Sequence, residues 1–346
     1  MHPYFIRESV IKAIRSFFFD QGFHEVITPV LNNALPVEPN LYPFKTTWST
    51  RAGERELFMS ASPEIGLKKM LAKGIGNCFA IGKSFRNLEG AGSLHNPEFL
   101  MLEWYREDAT YDQIMTDTRN LLLYIHSSVI ARSEYDDAIS LRKASSSPHV
   151  ILENSSLTYQ SHTISLTDPW PTFSLVELFN QHLKVDLENI LDDIAMTQWC
   201  SKRGYNTKNA TWGELFDQIL VNEIEPKLPK TPFFLTDFPA RISPLCTVNI
   251  QKPYLAERFE FYMFRMEVAN GNNENTDWKT VQSVFENEKK HREQHGLAVS
   301  PVDYEFIEAL KVMSQKKYAG IGLGLDRLAM IFADVADINE IELLHV

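Results

Sequence analysis

Charged residues and glycines recur in this chain at places where structure alone gives no reason for them. Phe85-Arg86-Asn87, followed by His95-Asn96-Pro97-Glu98-Phe99 and Glu103-Trp104-Tyr105, puts charge into two otherwise apolar runs. An arginine at a strand end, beside an aromatic on the partner strand, can fork to two phosphate oxygens and stack on a purine. The plainer alternative is a surface Arg–Glu hairpin of little energetic weight. Gly320-Ile321-Gly322-Leu323-Gly324-Leu325-Asp326-Arg327 is a second such place. Glycine at alternate strand positions bares one face to a ligand. Asp326 suits a helix N-cap, and Arg327 in the first helical turn opposes the helix dipole unless an anion is bound. A phosphate loop is the competing reading, but the Lys-Ser or Lys-Thr pair that would open its helix is missing. The third place is Glu257-Arg258-Phe259-Glu260, with Glu267 and Asn270-Gly271-Asn272-Asn273-Glu274 beyond it. Glu260 and Glu267 stand seven apart, so an uninterrupted strand would put them on opposite faces; a bulge or turn is needed for both to hold one cation. Acidic residues beside a phosphate site are ordinary Mg²⁺ ligands, although charged strand residues are commonly just solvated.

The elements that must carry these residues are legible in part. Ile6, Val10, Ile14, Phe17 and Phe18 recur at helical spacing and predict an amphipathic helix, stopped at Gly22 and followed by a short strand from Phe23 to Pro29. A helix is expected from Glu64 to Lys73, and a long antiparallel hairpin from Asn77 to Tyr105 whose loop holds the unusual residues. Helical spacing covers 111–130; the polar stretch that follows, 131–150, is expected to be a mobile insertion. Leu157–Tyr159 and Thr163–Leu166 read as a small hairpin, and 174–230 as a helical insertion. Strand signals return at Phe233–Thr236, over Glu257–Val268 and at Gly320–Leu325. The pattern predicts one α+β domain over 1–346, an antiparallel sheet flanked by helices with its centre assembled from both ends of the chain.

Composition narrows the class. The 346 residues are 44% hydrophobic and 23% charged, which excludes a disordered or fibrous chain. A charged start and the want of any long apolar run predict a soluble, non-exported, cytoplasmic protein with no membrane contact. Three scattered cysteines support neither a disulfide framework nor a zinc site. The formal net charge of −11 is the wrong sign for a surface that grips nucleic-acid phosphates throughout, and it favours a basic partner.

Taken together the three constellations resemble the signature motifs of the class II aminoacyl-tRNA synthetases. The opening helix and strand ending at Pro29 look like motif one, Arg86 to Glu103 like motif two, and Gly322 to Arg327 like motif three. Ser62-Pro63-Glu64, the string His95-Asn96-Pro97-Glu98-Phe99, Asp237-Phe238-Pro239 with Ser243-Pro244-Leu245, and Glu267-Val268-Ala269-Asn270-Gly271 are similar to the lysyl branch. Glu103-Trp104-Tyr105-Arg106 and Ala256-Glu257-Arg258-Phe259-Glu260 are similar to the elongation factor P lysyl or (R)-β-lysyl ligases, paralogues of lysyl-tRNA synthetase without the anticodon-binding domain. The helix beginning near residue 5 leaves no room for that domain, an expectation in line with this branch.

The resemblance implies an ATP-dependent, AMP-forming ligase that activates lysine or β-lysine and transfers it to elongation factor P, working as a homodimer, with tRNA an unlikely acceptor. It implies catalytic roles for Arg86 on the α-phosphate and Arg327 on the γ-phosphate, adenine stacking on Phe99, further ATP contacts from Glu89 and His95, and Mg²⁺ on Glu260 and Glu267. Glu64 and Glu103 would hold the α- or β-amino group, Asn270 the carboxylate, and Tyr105 with Glu274 the distal ammonium. Three departures stand out. Motif two carries one extra residue, so Leu88 stands where the family has glutamate; Asn272 replaces an apolar pocket wall; and Gly322 matches the synthetase rather than the alanine of the β-lysine ligases, leaving more room. Two alternatives remain open: a minimal lysyl-tRNA synthetase-like enzyme charging tRNA or another small acceptor, and a binding subunit that kept the fold and lost the chemistry.

Overall fold

The computed structural model describes residues 2–37, 41–87, 92–138 and 155–342. The expected ATP contact at Glu89 and the extra motif-two residue at Leu88 lie outside them. The insertion expected at 131–150 does so beyond Ala138, and its first part continues a helix.

Among the described residues eight strands form one sheet: β1 (His24–Glu25), β2 (Cys78–Phe85), β3 (Glu98–Glu107), β4 (Thr172–Ser174), β5 (Phe233–Thr236), β6 (Arg258–Met263), β7 (Met266–Asn273) and β8 (Tyr318–Gly324). Their spatial order is β1-β2-β3-β8-β7-β6-β5-β4, antiparallel through the centre and parallel only in the edge pairs β1–β2 and β5–β4. The expected antiparallel-dominated α+β sheet is present, and the hairpin read between Asn77 and Tyr105 is β2 with β3.

Alternation sorts the side chains. Leu102, Trp104, Ile321, Leu323, Phe259 and Phe261 point to one face and are fully or almost fully buried. Against them pack helices α1 (Pro3–Asp20) and α2 (Tyr111–Ala138), the former through Val10, Ile14, Phe17 and Phe18. Helix α1 opens as its sequence requires: His2 caps it by accepting from the Tyr4 amide, Pro3 occupies the first turn where no amide is needed, and Gly22 at φ 76° turns the chain away.

The opposite face carries two separate apolar clusters with a trough between them. One joins α3 (Glu64–Ala72), α4 (Trp278–His295) and α5 (Tyr304–Met313) to Cys78, Tyr105 and Tyr318. The other is the insertion after β4, where α6 (Asp193–Lys202), α7 (Trp212–Ile219) and shorter helical turns pack onto Phe233, Leu235 and Tyr262.

One sequence reading is corrected. Glu257–Val268 is not a single strand but the hairpin of β6 and β7, reversed at Phe264 and Arg265, both at positive φ (56° and 62°). No glycine or asparagine stands at that turn, so it carries no local signature.

Candidate functional site

Register, more than any single residue, builds the site. Glu103 of β3 stands opposite Gly322 of β8, Gly322 opposite Asn270 of β7, and Asn270 opposite Glu260 of β6. Directly opposed residues share a face, so these four line one row across the trough. The row beside it runs Tyr105, Gly320, Asn272 and Arg258. A register shift between Phe261 and Tyr262 then brings Glu267 opposite Tyr262, onto the face of Glu260. The turn and bulge that the spacing of seven demanded are both present.

Two adjoining cavities open on this face. The first is lined by Glu64, Arg86, Met101, Glu103, Tyr105, Asn270 and Gly322. The second is lined by His95, Phe99, Glu267 and Arg327, and shares Arg86, Met101, Asn270 and Gly322 with the first. The Arg86 guanidinium lies 5.4 Å from the Phe99 ring centroid and its Nε donates to the Ala61 carbonyl at 3.4 Å. Arg327 donates to His95 Nε2 at 2.6 Å and to the Glu267 carbonyl at 3.0 Å, so the motif-two loop and β7 together orient it.

Asp326 does not cap the helix that follows, α8 (Leu325–Ala333); Gly324 holds that position. The buried Asp326 carboxylate instead accepts from Arg7 Nε at 2.8 Å and from the Leu100 amide at 2.6 Å, tying α1, β3 and α8 together.

Glycine on β8 is a matter of approach distance. A methyl at Gly320 would stand 2.2 Å from the Tyr105 ring, whereas at Gly322 its nearest neighbour would be Glu103 Oε1 at 3.4 Å. Gly320 therefore admits the tyrosine, and Gly322 leaves room for a methyl at ordinary contact distance from Glu103 and Met101.

The electrostatics are those of acids kept from water. Burial pushes the Glu103 carboxyl up to about 8; the Glu64 charge adds to this, and Ser62, Lys68 and Arg86 restrain it. Burial likewise pushes Glu274 up to about 7 against the pull of Lys68. Glu260 rises to about 8 through burial and the neighbouring Glu267, although Arg258 donates to its Oε1 at 2.6 Å and Tyr262 to its Oε2 at 2.9 Å. Two close carboxylates on one face, one of them raised by the other, fit a shared divalent cation. Among the described residues no group of three or more His, Cys, Asp and Glu side chains is arranged to hold a metal, so such an ion would take its remaining oxygens from phosphate and water.

Tyr105 and Glu274, expected to share the distal ammonium, stand on either side of a third group. The Tyr105 hydroxyl donates to Glu103 Oε2 at 3.4 Å, and Glu274, only 6% exposed, lines neither cavity. Between them lies a residue that sequence reasoning passed over. The Lys68 ammonium, on a side chain 1% exposed, is ion-paired with Glu64 and with Glu274 Oε2 (2.5 Å for the latter), and lies 5.7 Å from the Tyr105 ring centroid. Burial opposes its charge, but Glu274 and Glu64 outweigh that and hold Lys68 well above the ordinary lysine value. The available signal was the i, i+4 spacing from Glu64, which on most helices marks only a solvated pair.

The family profile described as tRNA synthetases class II (D, K and N) matches residues 3–344. The lysine–tRNA ligase of Coxiella burnetii (strain Dugway 5J108-111) is 30% identical over 346 residues, covering 98% of this chain and 63% of the relative. That of Psychrobacter sp. (strain PRwf-1) is 30% identical over 348 residues, with 98% and 62% covered. The lysine–tRNA ligase of Carboxydothermus hydrogenoformans is 27% identical over 339 residues, with 98% and 64% covered. The chain thus spans a little under two thirds of the length of these relatives.

Proposed function

The chain belongs to the class II tRNA synthetases of the D, K and N type, and from that premise we propose that it activates lysine or β-lysine as an aminoacyl-adenylate, at the expense of ATP, and passes the aminoacyl group to a lysine side chain of elongation factor P. One observation carries the activation half of this reading: the carboxylate-lined cavity and the Phe99–Arg327 cavity meet at Arg86, Asn270 and Gly322. An amino-acid carboxylate and a nucleotide α-phosphate have to meet at such a junction.

In this reading Glu64 and Glu103 take the amino group, Asn270 the carboxylate, Phe99 the adenine face, Arg86 the α-phosphate, and Arg327, with His95 beside it, the γ-phosphate. The carboxylate oxygen attacks the α-phosphorus in line and pyrophosphate leaves toward Arg327. The nucleophile is already ionised, so no general base is required; the protein contributes position and opposing charge. Glu260 and Glu267 would hold Mg²⁺, which when bound supplies charge neutralisation to the phosphates. In the second step a neutral lysine amine attacks the acyl carbon and AMP departs.

The acceptor is a protein in this proposal because a chain of net charge −11 has little general attraction for a polyanion and suits a basic loop. Charging of tRNA is the second reading, favoured by the names of the curated relatives. A homodimer through α1 also belongs to the proposal: Phe5 and Phe19 are 52% and 53% exposed on that helix. Incubating the protein with ATP and either lysine or (R)-β-lysine, with elongation factor P and tRNA as parallel acceptors, and weighing the products by mass spectrometry tests it. A lysyl or β-lysyl adduct on elongation factor P is expected; an adduct on tRNA alone overturns the acceptor, and no pyrophosphate release with either amino acid overturns the activation.

A further inference from the structure

Tyr262 is 1% exposed, and its ring lies flat on Phe233 of β5, with 5.1 Å between the centroids and 6° between the planes. Phenylalanine would fill this place equally well, so packing does not ask for the hydroxyl. That hydroxyl stands 2.9 Å from Glu260 Oε2 and 3.1 Å from Glu225 Oε1. Glu260 lies two residues back on β6, and the register shift after Phe261 sets Glu267 of β7 directly opposite Tyr262. Tyr262 thus adjoins both carboxylates assigned to the cation. Glu225 comes from elsewhere, the short turn Glu225–Lys227 that ends the helical insertion before β5. Arg258 completes the arrangement. Its Nη2 donates to Glu260 Oε1 at 2.6 Å and its Nη1 to Ser243 Oγ at 3.2 Å, and its guanidinium lies 4.6 Å from the Phe238 ring centroid.

We propose that Tyr262 is a positioning residue for the divalent cation: its hydroxyl and Arg258 hold the two oxygens of Glu260, one donor to each, and Glu225 of the insertion competes for the phenolic proton. This rests on the reading of Glu260 and Glu267 as cation ligands and adds to it a residue that reading leaves out. An ionised carboxylate offers about four lone pairs. Two donors on different oxygens leave one lone pair on each for a ligand and stop the carboxylate plane from turning. A phenol carries a single proton, so it serves one carboxylate at a time, and Glu260 is the nearer. Whatever share Glu225 draws away loosens Glu260, so the insertion sets how firmly the cation's ligand is held. Supporting partners of this kind are typically worth about 10- to 100-fold in metal affinity.

The test needs no turnover. Melting temperatures of the full chain are recorded with saturating ATP and no amino acid while Mg²⁺ is titrated, and the lysine-induced shift without ATP is recorded beside them. In the wild-type chain the stabilisation by ATP should rise with Mg²⁺ to a plateau, and Glu260→Gln should flatten that rise. Tyr262→Phe, which keeps the ring stack, should raise the half-effect Mg²⁺ concentration about 10- to 100-fold and leave the lysine shift unchanged. Glu225→Gln offers a neutral and therefore weaker acceptor. The proton then passes to Glu260, and the half-effect concentration should stay the same or fall. Added to Tyr262→Phe, it should change nothing further, because the proton it contests is gone. A hydroxyl that only ties the insertion to the sheet predicts otherwise: both variants would lower the melting temperature alike without Mg²⁺, and neither would move the half-effect concentration. That result overturns the inference, as does a rise in Glu225→Gln as large as that in Tyr262→Phe. Should Glu260→Gln respond to Mg²⁺ as the wild type does, the error lies in the cation ligands themselves, and the inference falls with that reading.

Discussion

Gly320 and Gly322 lie two residues apart on β8, on the same face, and alanine at the two positions should have opposite consequences. At Gly320 the new methyl would stand 2.2 Å from both Cδ1 and Cε1 of Tyr105, where carbon–carbon contacts settle at about 3.5–4.0 Å. The ring has to retreat by more than about 1 Å, but Tyr105 is 4% exposed and has Lys68 on its other side. Overpacking of this kind costs about 1–3 kcal/mol, a melting-temperature loss of several degrees for a chain of this size. It also displaces the Tyr105 hydroxyl from Glu103, so lysine affinity should fall with stability. At Gly322 the nearest atoms would be Glu103 Oε1 at 3.4 Å and Met101 Sδ at 3.6 Å, ordinary contacts. Stability should then stay within about 0.5 kcal/mol of wild type. In the proposed reading the methyl instead occupies pocket space next to the amino-acid carboxylate, so discrimination between α- and β-lysine, expected to be weak in the natural chain, should sharpen by about 1–3 kcal/mol, roughly 10- to 200-fold. Differential scanning calorimetry and isomer-resolved pyrophosphate exchange on both variants decide the matter. Equal melting-temperature losses, or a Gly320→Ala chain that melts and binds lysine like wild type, would refute the reasoning from approach distance.

Four further outcomes are expected. Arg86→Ala should lower adenylate formation on the order of 10²-fold or more with an unchanged melting curve, and exchange at the wild-type rate would remove Arg86 from the chemistry. Asp326→Ala should cost about 1–3 kcal/mol in denaturant titration, since it leaves the Leu100 amide without its acceptor and removes the nearer of the two carboxylates paired with Arg7, the other being Glu342 at 3.5 Å. Glu103 sits in the fold at about 8, above its ordinary 4.5, so the folded state binds the extra proton between those values and stability falls as pH rises through that window, about 1.4 kcal/mol per pKa unit. Glu103→Gln should therefore gain stability relative to wild type from pH 5 to pH 8, and parallel pH curves for the two proteins would contradict the assignment. Light scattering at micromolar concentration should give a dimer mass, reduced to a monomer by charged substitutions at Phe5 and Phe19.

Much of the positioning frame was legible because it rests on period and punctuation. Helix α1 and strands β2, β3, β5 and β8 follow from alternation or helical spacing bounded by glycine or a polar loop. The faces of β8 follow from its glycines alone. What escaped was set by contacts distant in sequence. Lys68 lies next to Lys69 on a short helix, and the i, i+4 spacing from Glu64 is too common a feature to tell the buried lysine from the one that pairs with Asp303 and Glu305. Its burial depends on Glu274, more than two hundred residues away. Asp326 was read as a cap because aspartate before a helix usually is one, but a half-buried arginine from α1 and the Leu100 strand amide competed for the same carboxylate. The Phe264–Arg265 reversal places two non-glycine residues at positive φ, a choice made by the strands it joins rather than by its own propensities.

The strand that closes the sheet comes last. β8 inserts between β3 and β7, so Tyr318–Gly324 hydrogen-bonds to segments that precede it by more than two hundred residues on one side and about fifty on the other. Until it arrives, β3 and β7 each present an unpaired edge, and the row of Glu103, Gly322, Asn270 and Glu260 does not exist. Such a chain has a high contact order and should fold slowly, through partly assembled species with open strands. During synthesis the ligand face is therefore completed at the end and all at once. A truncated or stalled chain would lack that row and would instead offer two adhesive edges.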